Sequence, residues 1–280
     1  MMKIAVLGAG GNMGTRICRT LKEDDELDLL PVETAENGLK RLEQLGLKAV
    51  GMGEALPQAD VVILALPDIL IGRIAKDVIP LMKSGAMAIC LDPAAPHAGI
   101  LPDRQDITYF VTHPAHPPVF NDETDPAARR DFFGSGLAKQ AIVCALMQGP
   151  DEDYRKGEAL AEKIFGPILR SHRVTVEQMA MLEPALSETV GATCIRVIRE
   201  AMDEAIRHGV PREAARDFIY GHINISLAIE FGEIDWRISE GAQKAVEEGK
   251  KKLFQPDWKK VFEPEELRES VARITGGIAS

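Results

Sequence analysis

Positive charge is scarce in this 280-residue chain, where 33 Lys and Arg face 43 Asp and Glu for a formal net charge of -10. Without a basic footprint there is little to grip a phosphate backbone, which argues against nucleic-acid partners. Cysteine is scarcer still. Cys18, Cys90, Cys144 and Cys194 stand far apart with no Cys-x-x-Cys pair, which excludes a disulfide framework or zinc knuckle and leads us to expect reduced thiols in a cytoplasmic protein. Long hydrophobic runs are missing too. The first apolar stretch, Ile4 to Leu7, is broken by glycines, and nothing reaches the roughly 18 apolar residues of a membrane span, so neither secretion nor membrane insertion is expected. No internal repeat or low-complexity tract stands out. What remains, at 45% hydrophobic and 27% charged residues, is a globular composition sized for one large or two medium domains, and small-molecule chemistry is the class favoured.

The first half alternates short apolar runs with amphipathic segments. Strands are predicted at 3–7, 27–33, 61–66, 86–91 and 107–111, with a further one at 142–147, and helices at 13–22, 35–45, 71–82 and 152–165. Strands apolar on both faces imply a parallel sheet covered by helices on each side, an α/β doubly wound, Rossmann-type domain. From about Val174 the rhythm changes to long helical patterns at 179–208, 212–230 and 240–253, with a clear stop and restart at Gly209-Val210-Pro211. We therefore expect an α/β domain over 1–174 and an all-α domain over 175–280.

Between the first strand and first helix lies Gly8-Ala9-Gly10-Gly11-Asn12-Met13-Gly14. Such a turn lets backbone approach a pyrophosphate at a helix N-terminus, so this whole segment is the expected dinucleotide loop. Met13 occupies the third position of a Gly-x-Gly-x-x-Gly frame. The frame Gly8-x-x-Gly11-x-x-Gly14 therefore fits better, with Met13 packing the helix on the sheet. Glu33 closes the second strand, 19 residues after Gly14. There a carboxylate would bind both ribose hydroxyls and repel a 2′-phosphate, which favours NAD over NADP; the alternative is a solvated helix-start carboxylate. Pro67 and Asp68, in the turn after the third strand, and the segment Leu91 to Pro96 should line the same groove.

Two further segments carry candidate chemistry. Thr112 to Phe120, "THPAHPPVF", reads as a stiff loop after a strand; His113 and His116 suit a metal ligand, a proton acceptor for a substrate hydroxyl, a donor to a substrate carboxylate, or a capping or loop brace. Glu183 to Thr189, "EPALSET", places Pro184 at a helix N1 position and Glu183 at the helix mouth, facing an interdomain cleft. Glu188 would stand about 140° round an ideal α-helix from Glu183, so the two are not expected to share a ligand. One imidazole and one carboxylate make a sparse divalent-metal site, and His113 with Glu183 is the expected pair. His116 and Glu188 are left as the catalytic candidates. His97 is placed toward the cofactor, and His172, His208 and His222 in packing or capping roles. Arg196, Tyr220 and Asn224 are candidate contacts to an anionic substrate.

The segments "GAGGNMG", "VVILALPD", "THPAHPPVF", "NDETDPAARRDFF", "CALMQGP" and "EPALSETVGATC" together resemble the D-apionate oxidoisomerase family. That family lies within the 6-phosphogluconate and 3-hydroxyacid dehydrogenase-like superfamily. The resemblance implies a Rossmann domain followed by a helical, dimer-building domain. It also implies NAD-dependent oxidation of a branched sugar acid, D-apionate, with rearrangement to 3-oxo-isoapionate, and a divalent ion such as Zn or Mg on His113 and Glu183. A simple NAD(P)-dependent hydroxyacid dehydrogenase without rearrangement is the alternative. One departure from the superfamily matters. The lysine expected on the long helix is missing from "SETVGATCIRVIREA", and Arg196, the nearest cation, is a poor proton acceptor. A histidine or a metal-bound water must take that role.

Overall fold

The computed structural model describes residues 1–276. Seven strands and eleven α-helices follow in the order β1 (Met2–Leu7), α1 (Asn12–Leu21), β2 (Leu27–Val32), α2 (Glu36–Gln44), α3 (Met52–Ala55), β3 (Val61–Leu64), α4 (Asp68–Val78), β4 (Met87–Cys90), α5 (Ala94–His97), β5 (Thr108–Pro114), β6 (Gln140–Gln148), α6 (Glu152–Phe165), β7 (Ile168–Arg173), α7 (Val176–Ala180), α8 (Thr193–Arg207), α9 (Arg212–Glu230), α10 (Glu240–Leu253) and α11 (Pro264–Ile274). A π-helix, Met181–Ala192, links α7 to α8.

The strands form one sheet in the order β2-β1-β3-β4-β5-β6-β7. β1 to β5 are parallel, as the uninterrupted apolar runs predict, and β3 and β4 are buried at every position. β6 then runs antiparallel to β5, and β7, parallel to β6, closes the sheet. The parallel sheet expected from the sequence holds over β1 to β5, and with β6 reversed the whole sheet is mostly parallel. β7 escaped the sequence reading because Leu169, Arg170, His172 and Arg173 are exposed on this edge and leave no apolar run to detect. Two apolar layers sandwich the sheet. One gathers Leu7, Leu64, Ile71, Val78 and Val111, the other Ile4, Ile17, Leu21, Ile63, Phe110 and Phe165.

The chain gathers into two compact units, one of Met1–Pro184 with the described residues from Leu267 on, the other of Ala185–Glu266. The division expected at 174 therefore falls ten residues later, because Val176 and Met179 of α7 are buried in the sheet's apolar layer. The described C-terminal residues also return to the first unit. Leu267 and Val271 of α11 are buried, and Gly276 lies against Ile69 of α4. In the second unit α8 and α9 pack on each other. No helix among the described residues is long and apolar enough to cross a membrane.

Candidate active site

Strand order reverses between β1 and β3, and in open α/β sheets ligands bind outside the carboxyl ends of the strands at that point. Two segments meet there: the Gly8 to Gly14 loop after β1, and Ala65 to Asp68 after β3. The Ala65 N–H donates to the Leu7 carbonyl at 3.1 Å. Gly8 has φ +70°, and a Cβ there would lie 2.4 Å from the Ala65 carbonyl oxygen. A Cβ on Gly14 would lie 2.1 Å from the Gly8 oxygen, and one on Gly10 2.3 Å from the Cα of Gly38 in α2. At Gly11 the nearest atom would be 3.1 Å away. The frame chosen from the sequence is therefore corrected: close approach falls on Gly8, Gly10 and Gly14, while Gly11 serves as the extended N-cap of α1, with no side chain capping it. Its first-turn N–H groups need partners from elsewhere, as an anion supplies. Met13 does pack α1 against the apolar layer, as expected.

Glu33 follows β2 and reaches back to the loop. Its Oε2 accepts the Gly10 N–H at 3.0 Å, and its Oε1 accepts the Thr34 and Ala35 N–H groups at 2.8 Å each. This one side chain thus ties the start of α2 to the glycine turn. Arg41, which the sequence reading passed over, adds a second tie by donating to the Gly10 carbonyl at 2.8 Å. Pro67 is the N-cap of α4 and Asp68 its first residue, at the end of β3.

His113 lies within β5 rather than in a loop; β5 runs on to Pro114 and pairs His113 with Val143. Its Nδ1 is 2.8 Å from the Leu91 carbonyl, and since a carbonyl only accepts, Nδ1 carries the proton. Nε2 faces Glu183 Oε2 at 3.6 Å. Asp92 Oδ2 stands 3.7 Å from Nδ1, and its Oδ1 accepts the Ala94 N–H at 2.8 Å. Both His113 and Glu183 are mostly shielded, with side-chain exposures of 18% and 24%. An imidazole nitrogen and a carboxylate oxygen facing each other across that gap can share a cation. Their separation is close to the roughly 3.4 Å between tetrahedral ligands each about 2.1 Å from one ion, and the Nδ1–H···O=C bond is the usual support of a ligating histidine. No group of three or more His, Cys, Asp or Glu side chains suited to a metal occurs among the described residues. Water or substrate oxygens would have to complete the shell.

Pro184 does not start a helix. Helical structure begins at Thr175, where a capping box pairs the Thr175 hydroxyl with the Gln178 N–H and the Gln178 side chain with the Thr175 N–H. That Thr-x-x-Gln signature was visible in the sequence. Pro184 is the fourth residue of the π-helix. Lacking an N–H and crowding the carbonyl four residues back, it disfavours α-helical register there. Because i→i+5 bonding stacks residues five apart, the 140° expected between Glu183 and Glu188 does not describe this segment. Glu188 belongs to the second unit.

His116 comes two residues after β5 ends and is the single described non-glycine residue with positive φ, at 61°. Its Nδ1 donates to the Phe133 carbonyl at 3.1 Å, which leaves Nε2 as the acceptor nitrogen. The rings of His113 and His116 are 6.4 Å apart, edge to face.

The other candidates separate. His97 packs at the end of α5, where burial lowers its pKa, the Glu177 carboxylate opposes that shift and Arg268 adds to it; its environment is α7 and α11 rather than the glycine loop. His172 lies in β7. His208 caps α8 beside Glu204 at 3.1 Å, and His222 donates to the Phe218 carbonyl while stacking on its ring. Arg196, Tyr220 and Asn224 are exposed in the second unit.

The acetohydroxy acid isomeroreductase NADPH-binding domain family matches residues 1–119, and the phosphogluconate dehydrogenase (decarboxylating) C-terminal family matches 121–275. A D-apionate oxidoisomerase of Cupriavidus necator is 56% identical over 98% of this chain and 99% of its own length. Another, from Rhizobium rhizogenes, is 52% identical over 98% of this chain and all of its own. A crystal structure of a semialdehyde dehydrogenase NAD-binding protein from Cupriavidus necator, in complex with calcium and NAD, superposes with a TM-score of 0.95 at 56% identity. It covers 98% of this chain and all of that one.

Proposed function

The chain belongs to the D-apionate oxidoisomerase family, and from that premise we propose that it is an NAD-dependent oxidoisomerase that converts D-apionate to 3-oxo-isoapionate. The observation that carries the chemical reading is the facing pair His113 Nε2 and Glu183 Oε2, 3.6 Å apart, in a chain whose glycine loop is shaped for a dinucleotide.

Gly8, Gly10, Gly11, Asn12, Met13 and Gly14 form the pyrophosphate cradle, Glu33 takes the ribose, and Pro67 and Asp68 flank the groove. When bound, NAD accepts the hydride that leaves the alcohol carbon next to the substrate carboxylate, and a divalent ion held by His113 and Glu183 supplies positive charge to neighbouring substrate oxygens. The chain's residues handle the protons. His116, with its proton fixed on Nδ1, offers Nε2 to the hydroxyl proton as the carbon is oxidised to a 2-oxo acid. In the second step the neighbouring tertiary hydroxyl loses its proton and becomes a carbonyl. One carbon substituent moves to the 2-oxo carbon, whose oxygen takes up a proton. We assign the second acid–base role to Glu188 from its place in the π-helix, five residues after Glu183.

We further propose that the protein is cytoplasmic, in keeping with four free cysteines, and a homodimer. No residue of α8 is buried, yet Ile195, Ile198, Met202 and Ala205 recur at helical spacing, and a cavity of about 430 Å³ between α8 and α9 is lined by apolar side chains.

The test is NAD reduction with D-apionate and identification of the product by NMR. We expect NADH formation with a rearranged carbon skeleton. Loss of turnover is expected on chelation or in Glu183→Gln with NADH binding retained, and a fall of about 10²- to 10⁴-fold in kcat for His116→Gln. Full activity in a metal-free preparation would remove the ion from the site. A product with the carbon skeleton unchanged would leave a simple hydroxyacid dehydrogenase.

A further inference from the structure

The loop from Ala115 to Lys139 carries His116 and has little regular structure of its own, yet it is tied down. The Asp131 carboxylate accepts N–H bonds from Ser135, Leu137 and Ala138 at 2.6, 2.9 and 3.2 Å. Burial alone would raise its pKa, but those bonds outweigh burial and hold it below the ordinary carboxylate value. Gln140 donates to the Gly134 and Phe165 carbonyls. Between these ties sits Phe133, whose carbonyl takes the His116 Nδ1–H and whose ring lies 5.2 Å from the imidazole.

Arg16, on α1, is the unusual member. Its guanidinium stands over two rings, 5.5 Å from Phe133 and 5.7 Å from Phe165. Both terminal nitrogens are buried without a hydrogen-bond partner among the described residues. Burial pulls the Arg16 pKa down, and the Asp131 carboxylate acts in the opposite direction. A buried guanidinium with unpaired donors is costly, and the ring faces together with Asp131 offset only part of that. An apolar side chain would fill the same gap without the cost, so shape alone does not explain an arginine here.

We propose that Arg16 is a positioning residue for His116: its guanidinium, seated over both the Phe133 and the Phe165 rings, anchors Phe133 and so fixes its carbonyl on Nδ1, which keeps Nε2 as the acceptor. Without that carbonyl the imidazole can place its proton on either nitrogen, and a ring with Nε2–H cannot take a proton there. The positive φ of His116 fits the same picture, since a left-handed non-glycine residue persists where its surroundings over-determine it.

The inference rests on His116 as proton acceptor, and its test separates the two. In Arg16→Met and in Phe133→Leu, which keeps the carbonyl but removes the ring, ¹⁵N NMR of the His116 imidazole should show the Nδ1–H tautomer giving way to a mixture. In both variants kcat should fall about tenfold or more with the NAD dissociation constant unchanged. A folded variant of either kind with the His116 tautomer unchanged would overturn the role of Arg16, whatever the rate. His116→Gln with wild-type kcat would instead overturn the proton-acceptor reading, while the imidazole spectra still decide whether Arg16 sets the tautomer.

Discussion

Glu33 spends three of its roughly four lone-pair sites on the N–H groups of Gly10, Thr34 and Ala35. One site on Oε2 is left for a ribose hydroxyl. Glu33→Ala should therefore act twice, loosening the glycine turn for any dinucleotide and removing the ribose acceptor for NAD alone. We expect the NAD dissociation constant to rise about tenfold or more in a fluorescence titration and the NADP constant to rise less, since a hydrogen bond to a charged group is worth about 1.5–3 kcal/mol. Equal rises would take Glu33 off the ribose. Much of this residue's neighbourhood could be read from sequence, because a carboxylate closing a second strand has a known place beside a glycine turn. Which glycines are indispensable could not. Gly10 is needed because Gly38 passes against it, a contact across 28 residues that no local spacing records. His113 was likewise identified as a residue but misplaced as a loop, since three nearby prolines conceal that β5 continues through it.

At the scale of elements, the amino ends of the strands are pinned at Asp60, just before β3. Its carboxylate accepts the Lys3 N–H at 2.8 Å and the Lys83 ammonium at 2.6 Å. Burial pushes the Asp60 pKa up, but the bonds from Lys83 and Lys3 and the charges of Lys83 and Lys156 outweigh it, and the net shift is downward from 3.8. A carboxylate with a depressed folded pKa contributes stability that is complete above its unfolded value and lost as pH falls through the folded one. Thermal melts should therefore drop as the pH is taken below about 4, and Asp60→Asn should lower the melting temperature at pH 7 while flattening that acid dependence. An unchanged acid slope in the variant would place the effect elsewhere. The elements with strong periodicity and clear punctuation, α6, α9 and α10, were legible to the residue. The π-helix was not, because a proline looks alike at a helix's first residue and inside a π segment; at either place its missing N–H is tolerated. The Thr175–Gln178 capping box was the available signal for the true start of that helical stretch.

For the whole molecule, the exposed apolar faces of the second unit carry the expectation of a homodimer. Ile195 and Phe218 are 59% and 67% exposed, and burying such side chains is worth about 1.5–3 kcal/mol each. We expect light scattering to give twice the chain mass for the wild type, and a monomer when Ile195→Glu is combined with Phe218→Glu; a wild-type monomer would remove the proposal. Two-part organisation was legible from the change of rhythm near Val174. The return of the chain was not, because Leu267 and Val271 look like any amphipathic stripe until the surface they cover is known. That return changes the architecture's logic. The helical unit is an insertion, spliced into the α/β unit at Pro184 and released at Leu267, and the sheet-bearing part is a discontinuous domain. Cutting the chain after residue 184 would thus yield a truncated Rossmann domain, stripped of the strap formed by Leu267 and Val271. A minimal NAD-binding module from this protein needs α11 stitched back on through a linker replacing residues 185–263.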